Sequence, residues 1–101
     1  MDTDLKRRIE IRESTLMNVL EILISALNLK IHTIDLDPDT PLFGSGLGLD
    51  SVDAVVIIVE LESRFNIRIS EEEGRQALRT VNTIVDLIIG KRNDNDRNGI
   101  T

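Results

Sequence analysis

The sequence predicts a small all-α fold: a four-helix bundle with three main helices, one short third helix and a long loop after the first helix. Two observations predict it. Apolar residues recur at steps of three and four in three segments, which is typical of helices with one buried face. Both Pro residues and three of the six Gly residues lie within residues 38–48, which marks a single long loop. The 101 residues suit one domain.

The first helix is predicted to begin at Ser14 or Thr15, because either residue suits the N-cap position. Its apolar residues at helical spacing are Leu16, Val19, Leu20, Leu23, Ala26 and Leu27. Residues 1–13 are dense in charge, and the sequence leaves open whether they extend this helix or fray. They are therefore interpreted as a charged extension to a helical domain spanning residues 14–91.

The loop over residues 31–49 leads into a second helix, predicted from Asp50 or Ser51 to about Arg64. Asp50 suits the N-cap, and Asp53 adds negative charge in the first turn. Two apolar stripes run along this helix: Ala54, Ile57, Ile58, Leu61 and Phe65 are predicted to face the core, and Val52, Val55, Val56 and Val59 lie beside them. Either the helix is buried on most sides, or the valines form an exposed patch for a partner.

Two further helices follow. The segment Ser70-Glu71-Glu72-Glu73 is a capping box that opens the short third helix, which is predicted to end near Leu78. Thr80 is predicted to cap a fourth helix with Val81, Ile84, Val85, Ile88 and Ile89 on one face. Gly90 lies where a C-terminal glycine is expected. Residues 92–101 are predicted to be a disordered tail.

Charge and composition exclude several functions. The chain has 12 basic and 18 acidic residues, a net charge of −6, and residues 31–73 hold ten acids against two bases, a net charge of −8. This balance argues against nucleic-acid binding, while the acidic segment either keeps the protein soluble or steers basic partners. The lack of Cys excludes disulfides, thiolate zinc sites and cysteine nucleophiles. No apolar run reaches the roughly 20 residues that membrane insertion needs, so a cytoplasmic protein is expected.

Three short motifs are rejected as sites. The Gly-rich segment 44–48 lacks the Gly-Lys-Ser/Thr ending of a phosphate-binding loop. The Asp-rich segments 35–39 and 94–99 lack the full ligand set of a calcium loop, so no metal is expected. His32 has no evident partner for acid–base catalysis.

Ser51 lies at the first position of the second helix, directly after the Gly-rich loop. A hydroxyl group there is exposed near unpaired backbone N–H groups, which suits the attachment of an anionic phosphodiester. It does not fit a hydrolase nucleophile, because the Gly-x-Ser-x-Gly pattern is missing and no His–Asp relay is evident. Spacing alone favours a simpler role in capping the helix.

A wider context surrounds this serine. Gly48-Leu49-Asp50-Ser51-Val52-Asp53 resembles the Asp-Ser-Leu-Asp motif of acyl carrier proteins, which are phosphopantetheine-binding carrier domains. The resemblance covers roughly residues 15–91. It includes Phe43 in the long loop, the end of the second helix at Leu61-Glu62-Ser63-Arg64-Phe65, the connection Ile67-x-Ile69, the acids Glu71-Glu72-Glu73, and Thr80-Val81 before the last helix.

The resemblance implies that Ser51, beside Asp50, carries a covalent 4′-phosphopantetheine arm, donated by coenzyme A through a phosphopantetheinyl transferase. The thiol of the arm would hold an acyl group as a thioester. The protein would be a non-catalytic, monomeric carrier whose partners are acyl-chain-processing enzymes such as synthases and transferases. The implied partner face comprises Val52, Asp53, Val55, Val56, Val59, Glu60 and Glu62.

The pathway stays open between fatty-acid, polyketide and modified-lipid synthesis. Val56 and Arg64 stand where fatty-acid carriers commonly have acids, and the loop is unusually rich in Gly. Two other functions also stay open: an unmodified helical interaction module of the same fold, and an aminoacyl or peptidyl carrier. The Asp before Ser51 favours an acyl carrier over the peptidyl type.

Overall fold

The structure, a computed structural model, describes the backbone of residues 3–99 and the side chains of residues 3–93. Its four helices are α1 (Thr3–Ala26), α2 (Ser51–Phe65), α3 (Glu71–Ala77) and α4 (Val81–Gly99). A short 3-10 turn, Thr33–Asp35, lies in the long loop between α1 and α2. The predicted all-α bundle, with its short third helix and its long loop after the first helix, is confirmed.

One hydrophobic core joins the helices. Its buried residues are Val19, Leu20, Ile22 and Leu23 of α1, Ile57 and Leu61 of α2, Val81, Ile84, Val85 and Ile88 of α4, and Leu36, Leu42, Ile67 and Leu78 from the connections. Helix α1 packs against α4 and α2, and α3 packs against α4. Each fully buried aliphatic side chain contributes about 1.5–3 kcal/mol. The α2 stripe predicted to face the core does so, with Ile57 and Leu61 fully buried and its other members partly buried.

The sequence leaves open whether residues 1–13 extend the first helix, and in the structure they do from Thr3, so neither Ser14 nor Thr15 is its N-cap. Thr15 is buried, and its hydroxyl donates a hydrogen bond of 2.8 Å to the carbonyl oxygen of Ile11. A threonine bonded four residues back is satisfied inside a helix rather than at its start. The charged extension therefore continues α1, and Arg12 Nη1 joins it to α4 by donating to Asp86 Oδ1 at 2.8 Å.

The prediction that the fourth helix ends near Gly90 is wrong, because α4 continues to Gly99. A glycine inside a helix costs only about 0.5–1 kcal/mol relative to alanine, so the helix passes through it. Lys91 fastens the next turn to α3, since its Nζ lies 2.7 Å from Glu73 Oε2. The backbone of the predicted tail is thus helical as far as Gly99, and residues 100–101 lie outside the described residues.

The predicted caps of the last two helices are present. Ser70 Oγ accepts a hydrogen bond from the Glu73 amide at 3.1 Å, and Glu73 Oε1 accepts one from the Ser70 amide at 2.9 Å. Thr80 Oγ1 accepts from the Thr83 amide at 3.2 Å at the start of α4. Helix α2 ends one residue later than predicted, because Asn66 takes a left-handed conformation with φ of 54° as its C-cap.

We expect Gly90→Ala to raise the free energy of unfolding by about 0.5–1 kcal/mol, because Gly90 is an interior helical residue and a methyl group there meets no atom within 4 Å. Urea denaturation followed by circular dichroism measures the change. If Gly90 instead ended the helix in a left-handed conformation, alanine would lower the stability. Gly44→Ala is the control and is expected to destabilise, because Gly44 has a φ of 72°.

Candidate functional site

The long loop is fastened where it approaches α2. Leu42 is fully buried, and its amide donates to the carbonyl oxygen of Arg79 at 2.9 Å. Its own carbonyl oxygen accepts from the Leu49 amide at 3.0 Å. These bonds join both sides of the loop to the connection between α3 and α4, so the chain enters α2 at a fixed point.

The glycines shape the turn between Leu42 and Leu49. The carbonyl oxygen of Pro41 accepts from the Leu47 amide at 2.9 Å. A Cβ on Gly46 would collide with that same carbonyl oxygen, so only glycine permits this close approach. Gly48 has a φ of 70°, which also favours glycine. The Gly-rich segment is therefore a compact turn that leads into the start of α2.

Ser51 is exposed at the first position of α2, as the sequence predicts. The helix is capped by its neighbours: Asp50 Oδ1 accepts from the Asp53 amide at 3.0 Å, and Asp53 Oδ2 accepts from the Asp50 amide at 3.0 Å. This capping box uses no atom of the Ser51 side chain. The capping role that spacing alone favours for Ser51 is therefore performed by Asp50.

Ser51 also lines a groove of about 490 Å³ between α2 and α3. The lining residues are Phe43, Ser51, Ala54, Ile58, Glu71, Gly74, Arg75 and Leu78. Helix α3 has a glycine where the Ile58 side chain of α2 meets it: a Cβ on Gly74 would lie 3.0 Å from Ile58 Cδ1. The groove thus has an apolar floor, with polar groups from the start of α2 and from α3 along its lining.

The valines predicted as a partner surface lie on the outer side of α2. Val52, Val55 and Val59 are 68%, 60% and 55% exposed, and Val56 is half-buried. We call these four residues the valine row. Helical spacing places Glu60 on one side of the row and Glu62 on the other.

Glu62 has a second role that the sequence did not indicate. Its Oε2 accepts a hydrogen bond of 2.8 Å from the amide of Ile69, in the connection between α2 and α3. This bond satisfies a backbone group that lies outside any helix. One of the two carboxylate oxygens is therefore engaged inside the fold, and no local motif marks this bond in the sequence.

The sequence also does not indicate the contact between α3 and α4. Besides capping α3, Glu73 forms a salt bridge with Lys91. The side chains of Lys91 and Glu73 are only 26% and 36% exposed, respectively. The hydrogen bonds from Lys91 and from the Ser70 amide hold the pKa of Glu73 below its ordinary value of 4.5. The pair keeps α3, and with it one wall of the groove, against the bundle.

Residues 18–88 match the protein family described as the phosphopantetheine attachment site. The chain belongs to this family. It is 48% identical over 56 residues to a D-alanyl carrier protein of Streptococcus thermophilus, covering 54% of this chain and 70% of the relative. It is 36% identical over 78 residues to a D-alanyl carrier protein of Streptococcus suis, covering 76% of this chain and 90% of the relative. It is 32% identical over 73 residues to an acyl carrier protein of Chlorobium phaeobacteroides, covering 72% of this chain and 88% of the relative.

Members of this family are non-catalytic carriers of acyl groups with a covalently attached 4′-phosphopantetheine. They interact with a phosphopantetheinyl transferase and with acyl-processing enzymes. The residues of this chain fit such a group, because an exposed hydroxyl lies at a helix N-terminus beside a largely apolar groove. None of the helices within residues 3–99 combines the length and the apolar character needed to cross a bilayer.

The salt bridge of Glu73 predicts a pH-dependent contribution to stability. Because the folded-state pKa of Glu73 is lowered, this contribution is present above pH 4.5 and is lost as the pH falls through the lowered pKa. We expect Glu73→Gln to reduce the free energy of unfolding at neutral pH, and the difference from the parent to shrink as the pH falls below 4.5 and through the lowered pKa. Urea denaturation across this pH range measures it.

Glu72→Gln is the matched control, because Glu72 lies one residue away on the exposed side of α3. It is expected to change the stability by less than about 0.5 kcal/mol at neutral pH. If the difference between the parent and Glu73→Gln stays the same from neutral pH down to the onset of acid unfolding, the prediction is contradicted.

Proposed function

We propose that this chain is an acyl carrier protein that tethers acyl intermediates as thioesters on a 4′-phosphopantetheine arm at Ser51, for fatty-acid, polyketide or modified-lipid synthesis. The observation that carries the proposal is the position of Ser51, exposed at the first residue of α2 and lining the groove between α2 and α3. The arm supplies the reactive thiol, which agrees with a chain that has no Cys.

The residues around Ser51 have separate tasks. The backbone N–H groups in the first turn of α2 favour an anionic phosphodiester, because they carry the positive end of the helix dipole. Asp50 and Asp53 fix where the helix starts, and the buried Leu42 fixes the loop before it. The hydroxyl of Ser51 is therefore presented to an approaching enzyme on a rigid support.

We further propose that partner enzymes dock on α2, through the valine row together with Asp53 and Glu60. Exposed aliphatic side chains supply the apolar centre of an interface, and flanking acids raise the association rate with basic enzyme surfaces. The net charge of −8 over residues 31–73 supports this direction of charge complementarity. Glu62 adds charge at the edge of the face, although one of its oxygens is held by Ile69.

An aminoacyl carrier is the second candidate. It is favoured by the identities to D-alanyl carrier proteins, 48% over 56 residues and 36% over 78 residues. The acyl carrier relative is 32% identical over 73 residues. The two functions are distinguished by loading the phosphopantetheinylated protein with either fatty acids or D-alanine, each with its own activating ligase. Loading with D-alanine alone would contradict the acyl assignment.

We expect Ser51→Ala to abolish phosphopantetheinylation while costing less than about 1 kcal/mol of stability, because Asp50 remains as the N-cap. Intact mass is measured after incubation with coenzyme A and a promiscuous phosphopantetheinyl transferase. Ser45→Ala is the matched control, since Ser45 is an exposed loop serine close by in the chain, and it is expected to gain one arm like the parent. A folded parent that gains no mass would instead favour an unmodified interaction module.

We expect Val55→Ser to lower the kcat/KM of the transferase for the unmodified protein by about five-fold, which corresponds to about 1 kcal/mol of lost apolar contact. Its stability is expected to stay within about 0.5 kcal/mol of the parent because Val55 is exposed. Ile34→Ser is the control, since Ile34 is 91% exposed and lies outside α2. Equal kcat/KM values for both variants and the parent would exclude the valine row from the docking face.

A further inference from the structure

Attachment of the arm adds a negative charge to a part of the surface that is already acidic. A phosphodiester on Ser51 would lie next to Asp50 and Asp53, whose carboxylates flank it in the chain and form the capping box. A third carboxylate, that of Glu71, lines the same groove as Ser51. Like charges at such short range repel, so an anion at this position gains from a nearby cation.

Arg75 on α3 meets this need. Among the residues that line the groove with Ser51, it is the one cation. Its side chain is 67% exposed, and its guanidinium contacts two carboxylates of its own helix, Glu71 Oε1 at 3.3 Å and Glu72 Oε2 at 3.9 Å. Both distances exceed the 2.7–2.9 Å or so of a strong charge-assisted hydrogen bond, and exposed pairs of this kind are weak. Arg75 can therefore exchange these contacts for an anion at little cost.

The position of Arg75 is set by the contacts that the two preceding residues of α3 make with α2 and α4. The preceding residue, Gly74, packs against Ile58 of α2 with no side chain between them. Glu73 is held by Lys91 of α4. Helix α3 is thus fixed between α2 and α4, and Arg75 is kept beside the groove that begins at Ser51.

We propose that Arg75 is a positioning residue that pairs with the phosphodiester on Ser51 and directs the arm into the groove, over Ile58 and Leu78. The inference rests on the proposed attachment at Ser51. A planar guanidinium suits this task, because it donates two parallel hydrogen bonds to two oxygens of one phosphate group. A carboxylate on an acyl cargo offers similar chemistry, so the test uses protein that carries the arm without any cargo.

The test compares the full-length protein before and after phosphopantetheinylation by NMR, with loading verified by intact mass. We expect the Nε–Hε signal of Arg75 to shift when the arm is attached. The matching signal of Arg64 is expected to stay in place, because 13 residues of helix put it about 20 Å from Ser51 along α2. We also expect nuclear Overhauser effects between the methyl groups of the arm and those of Ile58 and Leu78.

The variants separate pairing from a general effect of charge. Arg75→Gln is expected to lose the nuclear Overhauser effects between the arm and the groove. Arg64→Gln makes the same change in net charge and is expected to keep them. Arg75→Lys is expected to retain them in part, because it keeps the charge without the planar fork. In the parent, about 1 M salt is expected to weaken them, since screening then acts over roughly 3 Å.

Each result has one meaning. No mass gain in the parent overturns the attachment at Ser51 and this inference with it. A mass gain without a shift at Arg75, or with equal arm contacts in the parent and in Arg75→Gln, leaves the carrier function intact and overturns the positioning role. Loss of the contacts in Arg64→Gln as well overturns it too. Should Arg75→Gln not fold, the shift at Arg75 in the parent decides.

Discussion

The burial of Leu42 is the constraint on which the geometry of the site depends. The chain between α1 and α2 is long, and ordering each of its residues costs about 1–2 kcal/mol of conformational entropy. Few of its side chains are buried enough to offset that cost, and Leu42 and Leu36 are the ones placed in the core. Because the backbone of Leu42 also bonds Arg79 and Leu49, one residue links the core, the connection between α3 and α4, and the entrance to α2.

Helix positions were predictable wherever the decisive groups are close in sequence. The caps at Asp50 and Ser70 satisfy backbone amides three residues away, so their motifs are readable without knowledge of the fold. Thr15 and Gly90 are misleading for the opposite reason. A threonine looks the same in sequence whether it caps a helix or bonds the carbonyl four residues back, and a glycine looks the same inside a helix or after it. Tertiary contacts with α3 and α4, such as Lys91 with Glu73, decide between these cases.

In the candidate site, too, the features that depend on residues close in sequence were predictable, and those that depend on tertiary contacts were not. Ser51 and its two neighbouring acids follow from one short motif, and the exposure of the valines follows from helical spacing against the core stripe. The position of Arg75 in the groove that Ser51 lines could not be predicted in this way, because Arg75 belongs to a helix that begins 20 residues after Ser51 and that meets α2 at Gly74. Glu62 shows the converse error: its spacing indicates a solvent-facing acid, but the turn after α2 brings the amide of Ile69 back to it.

The extensions of α1 and α4 have a practical consequence for how the protein can be handled. Arg12 faces Asp86, and Arg7 and Arg92 line one groove, so the two helices run antiparallel. Val81 follows closely after Leu78, which lines the groove of Ser51, and α4 carries Gly99 about 27 Å away from it. Thr3 lies at that same far end. An affinity tag, a fluorophore or a solid support joined beyond Thr3 or beyond Gly99 would therefore be attached far from Ser51 and from the face of α2 that is proposed for docking.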